Sequence, residues 1–348
     1  MKGIMTKNKI LKISLAVAFM LCILLAVWIF SPVKAETPVA TVITDQNTII
    51  FDLYAKDIEI GSTTYTGAGY VFNETEGKWE YSSSIYGTHK DGNSYYIFQS
   101  TETNTATISD DGLSVTLPTY ADISDIDVFV NKTDINQVIT DWQAAAESAG
   151  RKSTTKKVLI SASGVTRNIT IENIWTTYRG TSLNSMTNGG ISVTGAKTGN
   201  TIINLYLKGD NRLGALRYST GSVTTSQLNI DSVENGTTKG SLVVIGDQSG
   251  DRANNSYRFW NGENYVEGAV CSNHWDSVIG GNDSSENVRG LNIKGGTVYA
   301  GASKYENCTA IGGGGNGTAV VNISGGIVTA VASTTGTVIG GGIAHTSY

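Results

Sequence analysis

The sequence predicts an all-β fold, a right-handed parallel β-helix with a β-rich N-terminal region and one amphipathic capping helix. Two observations carry that expectation. The stretch from Ser277 to Gly342 repeats one pattern twice and opens it a third time, and apolar residues within each copy alternate with a period of two. Val278-Ile279-Gly280-Gly281 leads into Leu291-Asn292-Ile293-Lys294-Gly295-Gly296-Thr297-Val298-Tyr299-Ala300. Ala310-Ile311-Gly312-Gly313 then leads into Val321-Asn322-Ile323-Ser324-Gly325-Gly326-Ile327-Val328-Thr329-Ala330. The glycine pairs at Gly295 and Gly325 stand 30 residues apart. Self-similarity at this length signals a solenoid, in which a repeat buries its apolar face only against its neighbours. The two-residue spacing makes its elements strands. Stacked copies are expected to set Ile293 over Ile323 and Asn292 over Asn322.

The first 35 residues read as an export signal. Lys2, Lys7, Lys9 and Lys12 precede an apolar run from Ile13 to Phe30, and Ser31-Pro32-Val33-Lys34-Ala35 offers small residues for cleavage after Ala35. The run is 18 residues long, so an uncleaved signal is the one expected route to a membrane. Removing its five lysines from the 25 basic residues leaves 20 against 30 acidic ones, a net charge of −10. That balance excludes a basic surface for nucleic acid. Forty-one glycines and three prolines suit many short strands joined by turns.

Residues 36–132 read as a β-rich region rich in tyrosine, most of it expected to pack. The segment 133–150 reads as a helix with Ile135, Val138, Ile139, Trp142, Ala145 and Ala146 on one stripe. Thr133 or Asp134 can cap its start, and Gly150 follows its end. Its expected place is across the open N-terminal end of the solenoid. Strand segments then recur from residue 155 to 348, where the last copy is expected to be truncated.

The succession Asn168 to Ile174 (NITIENI), Leu207 to Leu213 (LKGDNRL), Leu242 to Gly246 (LVVIG) and the later VIGG and NISGGIVTA motifs resembles exported β-helix surface proteins of Gram-positive bacteria. Those proteins are described as adhesin-like or carbohydrate-binding. The resemblance covers roughly residues 158–348. It implies a secreted or cell-surface location and attachment to a glycan or to a host or neighbouring cell.

No catalytic motif emerges. His89, His274 and His345 lack partners at metal or triad spacing. Gly312 to Gly317 (GGGGNG) fits a dinucleotide pattern only formally, without a strand–turn–helix context. Asp122, Asp125 and Asp127, and Asp247, Asp251 and Arg252, are the carboxylate clusters a polysaccharide lyase or hydrolase would use, and that is the first alternative. A passive spacer is the second. No cofactor or metal site is expected, and calcium has no indication in its favour.

The candidate binding stretch is Ser256 to Asp276, where Tyr257, Trp260, Tyr265 and Trp275 crowd into a predicted loop. Aromatic faces stack on sugar rings while polar neighbours reach the hydroxyls. Tyr299, at an outward position of the regular repeat, joins this candidate set. Cys271 and Cys308 are a candidate disulfide, with two free thiols the equal alternative.

Overall fold

The computed structural model describes residues 39–123, 133–177, 190–234, 236, 239–245, 248–251, 256–260, 265–268, 277–281, 286–302, 309–332 and 336–341. All belong to the unit Pro38–Tyr348. The export segment, the candidate disulfide Cys271 and Cys308, and Trp275 lie outside the described residues. Among the described residues, the regular structure is strand except for one α-helix, α1 (Ile135–Ser148), and a 3₁₀ turn at Gly195–Thr198. No described helix is long and apolar enough to cross a membrane.

Three ladders of parallel strands organise the chain. The first contains Thr48–Asp52, Ser94–Phe98, Thr166–Glu172, Ile202–Lys208, Gln227–Ser232, Val288–Ile293 and Ala319–Ile323. The second contains Ile58–Ile60, Val158–Ile160, Ile191–Val193, Leu216–Tyr218, Ser277–Gly280, Thr309–Gly312 and Ile339–Gly340. The third contains Asp210–Leu213, Ser241–Ile245, Thr297–Gly301 and Ile327–Val331. From Ile202 onward the chain visits the ladders in a fixed cycle of first, third and second. The stack begins at Thr48 and Ile58, so residues 36–132 contribute rungs and do not merely precede them.

Alternation explains why these strands stack in one register. Every second side chain points inward, and the inward positions form columns. Ile49, Tyr95, Ile169, Leu205, Ile230, Ile293 and Ile323 stand in one column of the first ladder. Ile58, Val158, Ile191, Leu216, Ile279, Ile311 and Ile339 stand in one column of the second. Leu213, Val244, Ala300 and Ala330 form a third. Most of these residues are buried in one continuous core. Full burial of each large aliphatic contributes about 1.5–3 kcal/mol, and a one-residue slip would turn the whole set outward.

On the outward face of the first ladder, Asn168, Asn204, Asn229 and Asn292 form a column that extends the expected pair of Asn292 and Asn322 back through three earlier strands. Each successive side-chain amide donates to the preceding Oδ1 at 2.8 Å. Asn322 continues the column opposite Asn292. These bonds lock rung to rung on the polar side, while the isoleucines do so inside.

The helix does not close the end of the stack. It lies along the outside of the third ladder, over the outward column Trp175, Arg212, Val243 and Tyr299. Val138, Trp142 and Ala146 are buried against Trp175, Val243, Ile245 and Tyr299, with Ile123 completing the cluster. Trp142 meets Trp175 edge-on at 5.2 Å and 70°, and the Arg212 guanidinium sits 5.6 Å from the Trp142 ring. Backbone bonds from Gly150 to Glu147 and from Arg151 to Ala146 terminate α1, with Gly150 at φ +75°. Arg151 then reaches the Asp210 carbonyl at 2.7 Å and its carboxylate at 3.5 Å. The helix therefore spans rungs from Gly301 to Asp210. The repeat pattern marks Tyr299 as outward, but outward here means beneath a helix.

Closing the end falls instead to a hairpin, Thr64–Asn73 with Lys78–Thr88. Its first strand runs antiparallel along both edge strands, pairing Ile50 with Tyr70 and Ile60 with Tyr65. One strand thus occupies the exposed edges of two ladders, the arrangement that prevents edge-to-edge association. The crossing is close. A Cβ at Gly69, whose φ is +147°, would lie 2.1 Å from the Ile50 carbonyl oxygen. Phe51, Tyr65 and Tyr95 pack as a three-ring cluster inside this end, with centroids 5.7–6.2 Å apart. A small antiparallel sheet of Val42–Ile43, Thr107–Ile108 and Val115–Thr116 covers Ile50, Phe98 and Trp79 from outside.

Candidate functional site

Between Ser241–Ile245 of the third ladder and Ser277–Gly280 of the second, the chain leaves the parallel stack. It forms an antiparallel meander of Gln248–Asp251, Ser256–Trp260 and Tyr265–Gly268. The predicted loop at 256–276 is therefore in part a sheet. Its composition accounts for this, since Tyr257, Phe259, Trp260, Tyr265 and Val266 favour pleated backbone.

The register sorts the aromatic candidates. Trp260 is directly opposite Tyr265, and Arg258 is opposite Glu267 and Ser249. Positions 258, 260, 265 and 267 fall on one face by the period of two, together with 249 and 251. Tyr257, opposite Gly268 and Gly250, falls on the other face with Phe259 and Val266. By register, Ser249, Asp251, Arg258, Trp260, Tyr265 and Glu267 share one face, and Gln248, Tyr257, Phe259 and Val266 the other. Of the five aromatic residues predicted to bind, the structure brings Trp260 and Tyr265 together, and sets Tyr257 on the opposite face. Tyr299 is 1% exposed and packs under α1, so it is removed from the site. Its phenol pKa is pushed up to about 12, chiefly by burial. The positions of Arg258 and Glu267 carry no marker in the sequence beyond their alternation with Trp260 and Tyr265.

Elsewhere the buried carboxylates are engaged in holding elements together. Asp210 accepts from the Ile123 amide at 2.8 Å and the Ser241 hydroxyl at 3.0 Å, besides facing Arg151. Burial raises its pKa, with Arg151 the main opposing influence. Glu172 accepts from Thr41 at 2.8 Å and from the Tyr96 hydroxyl, tying the N-terminal strand to the first ladder. Asp52 accepts from the Ser100 hydroxyl and from the amides of Tyr54 and Ser100. None of these is poised as an acid–base pair. Among the described residues, no group of three or more His, Cys, Asp or Glu is placed to hold a metal.

His89 links the closing hairpin to the stack. Its Nε2 accepts from Arg167 at 3.0 Å, which places the ring proton on Nδ1, 2.8 Å from the Tyr95 hydroxyl. Burial first, and Arg167 second, lower its pKa below 6.5, against a weaker opposing pull from Asp91. Lys90, Tyr65 and Tyr95 are the other titratable groups nearby. A lowered folded-state pKa means that the neutral ring is favoured by folding. Its stabilisation is present above pH 6.5 and is lost as pH falls through the unfolded value towards the folded one. Thermal melts at pH 7.5 and 5.5 are expected to show a drop in Tm for the wild type that is smaller in His89→Gln. An equal drop in both would remove His89 from this role.

No protein-family model, no curated protein and no solved structure matches this chain.

Proposed function

We propose that this chain is a non-catalytic, secreted or cell-surface protein, built as a right-handed parallel β-helix, that attaches to carbohydrate through its antiparallel meander. Three in-register ladders visited in cyclic order support the β-helical reading. The observation that carries the binding role is the pairing of Trp260 with Tyr265, next to the pairing of Arg258 with Glu267. Two aromatic residue types at opposite register positions suit stacking on a sugar, and the paired Arg and Glu one step further suit hydrogen bonds to its hydroxyls. A stack of parallel ladders is a suitable base, because the meander leaves it between Ser241–Ile245 and Ser277–Gly280, strands that each have a ladder neighbour on both sides.

A glycan array probed with the labelled protein tests this reading. Wild type is expected to be retained on at least one glycan, with Trp260→Ala and Tyr265→Ala each losing about tenfold or more, the effect of removing one stacking ring in a central contact. Tyr257→Ala is expected to keep binding, as it falls on the other face. Retention of Trp260→Ala at wild-type strength, or no retention of wild type, removes the meander as a sugar site.

A further inference from the structure

We propose that Arg167 and His89 form an acid-sensitive latch at the closed end of the stack, and that protonation of His89 frees the hairpin of residues 64–88 while the ladders beyond it stay folded. Arg167 stands at an inward position of the first ladder, where its register partners in the following strands are Ile203, Leu228, Leu291 and Val321. A cation therefore heads a column that is otherwise aliphatic, and it is 2% exposed. Stacking gives no reason for an arginine there, but its hydrogen bonds do.

The guanidinium donates to the Ser62 carbonyl, to the Gly61 carbonyl at 3.4 Å, to the Thr166 carbonyl at 2.8 Å and to His89 Nε2 at 3.0 Å. Gly61 and Ser62 lead into the first strand of the hairpin and His89 follows the second, so one side chain grips both ends. The His89 amide closes the same base by donating to the Thr63 carbonyl at 2.7 Å. Among the described residues, no carboxylate bonds to Arg167, and all its acceptors are neutral. A buried charge held in this way depends on each of them. Three are peptide carbonyls, which do not titrate near neutral pH, and the fourth is an imidazole, which does.

Protonation turns Nε2 from acceptor into donor and sets a second positive charge beside the guanidinium. Either the ring swings away or the guanidinium withdraws, and both movements open the base of the hairpin. The other titratable groups nearby do not offset the change. Tyr95, on the neighbouring strand Ser94–Phe98, and Tyr65, in the hairpin, are phenols kept neutral by burial. Lys90, on the turn that follows His89, is paired with Glu74, and Asp91 on the same turn pulls only weakly toward the imidazolium. Because the closed form favours the neutral ring, the latch holds above pH 6.5 and weakens as pH falls below that value. Once freed, the hairpin leaves the edges of Thr48–Asp52 and Ile58–Ile60 without their antiparallel partner.

A lowered Tm alone does not show which part opens. Hydrogen exchange of the full chain, read by mass spectrometry at pH 7.5 and 5.0 with labelling times scaled for the intrinsic rate, follows hairpin and ladders separately. Protection over residues 64–88 is expected to fall about tenfold at pH 5.0, as for a histidine whose pKa is about one unit lower in the closed form, with residues 202–232 unchanged. His89→Gln keeps a neutral acceptor that takes up no proton, and should hold its protection at both pH values. Arg167→Leu continues the aliphatic column and should also lose the pH dependence; if it does not fold, His89→Gln decides alone. An equal loss in wild type and His89→Gln, no loss in wild type, or a loss shared by residues 202–232 overturns the inference.

Discussion

Replacing Trp142 with alanine is expected to lower the stability of the entire sheet by about 3–5 kcal/mol, the range for emptying a fully buried aromatic site. Trp142 is wholly buried, meets Trp175 edge-on, and carries the Arg212 guanidinium against its face. Its removal would leave a cavity between helix and ladder, and would take the ring from a cation that is itself 0% exposed. Because α1 touches rungs from Gly301 to Asp210, the loss should appear in the main unfolding transition. Urea unfolding followed by circular dichroism in the β region measures it. Ile139→Ala, at a partly buried position on the same stripe, should cost less. A sheet transition unmoved by Trp142→Ala, with helical signal lost separately, would show that the helix merely rests on the stack.

The second large effect is expected at the corner glycines, and its pattern matters more than its size. Gly280→Ala and Gly312→Ala should each cost about 3 kcal/mol, from positive φ together with collision against the next rung's carbonyl. Gly340→Ala carries the same φ but meets no carbonyl, so it should cost about 1 kcal/mol. Three identical substitutions in one motif are thus expected to differ by position in the stack. Denaturation midpoints for the three variants test this. Equal losses would mean that the backbone conformation alone sets the cost, and that rung-on-rung contact contributes nothing at this corner.

The parts of the fold that could be read from sequence are those where the repeat is regular. Leu228-Asn229-Ile230, Leu291-Asn292-Ile293 and Val321-Asn322-Ile323 share a register in the structure as they do in pattern. The first rungs were not legible. Thr48–Asp52 and Ser94–Phe98 lack the Gly-Gly corner, and the long hairpin inserted between them hides the period. Tyr299 shows a different gap. Period-two alternation tells which side of a sheet a residue takes, and not what lies over that side. The helix was legible from its stripe, yet its destination was not, because the apolar column Trp175, Val243 and Tyr299 is assembled from three separated stretches. In the meander, the crowding of Tyr257, Phe259, Trp260 and Tyr265 was visible, but the pairing of Trp260 with Tyr265 required the strands and the turn between them to be known.

The position of α1 also sets a timetable. During synthesis the helix emerges before all four strands of the ladder it covers. The hairpin-closed end can form first and template each later rung; the stripe of Val138, Trp142 and Ala146 meets Trp175 and Arg212 first, and its surface is complete only with Val243 and Tyr299. Contacts so distant along the chain form slowly. Full burial of Trp142 therefore follows the arrival of Tyr299, more than 150 residues further along the chain.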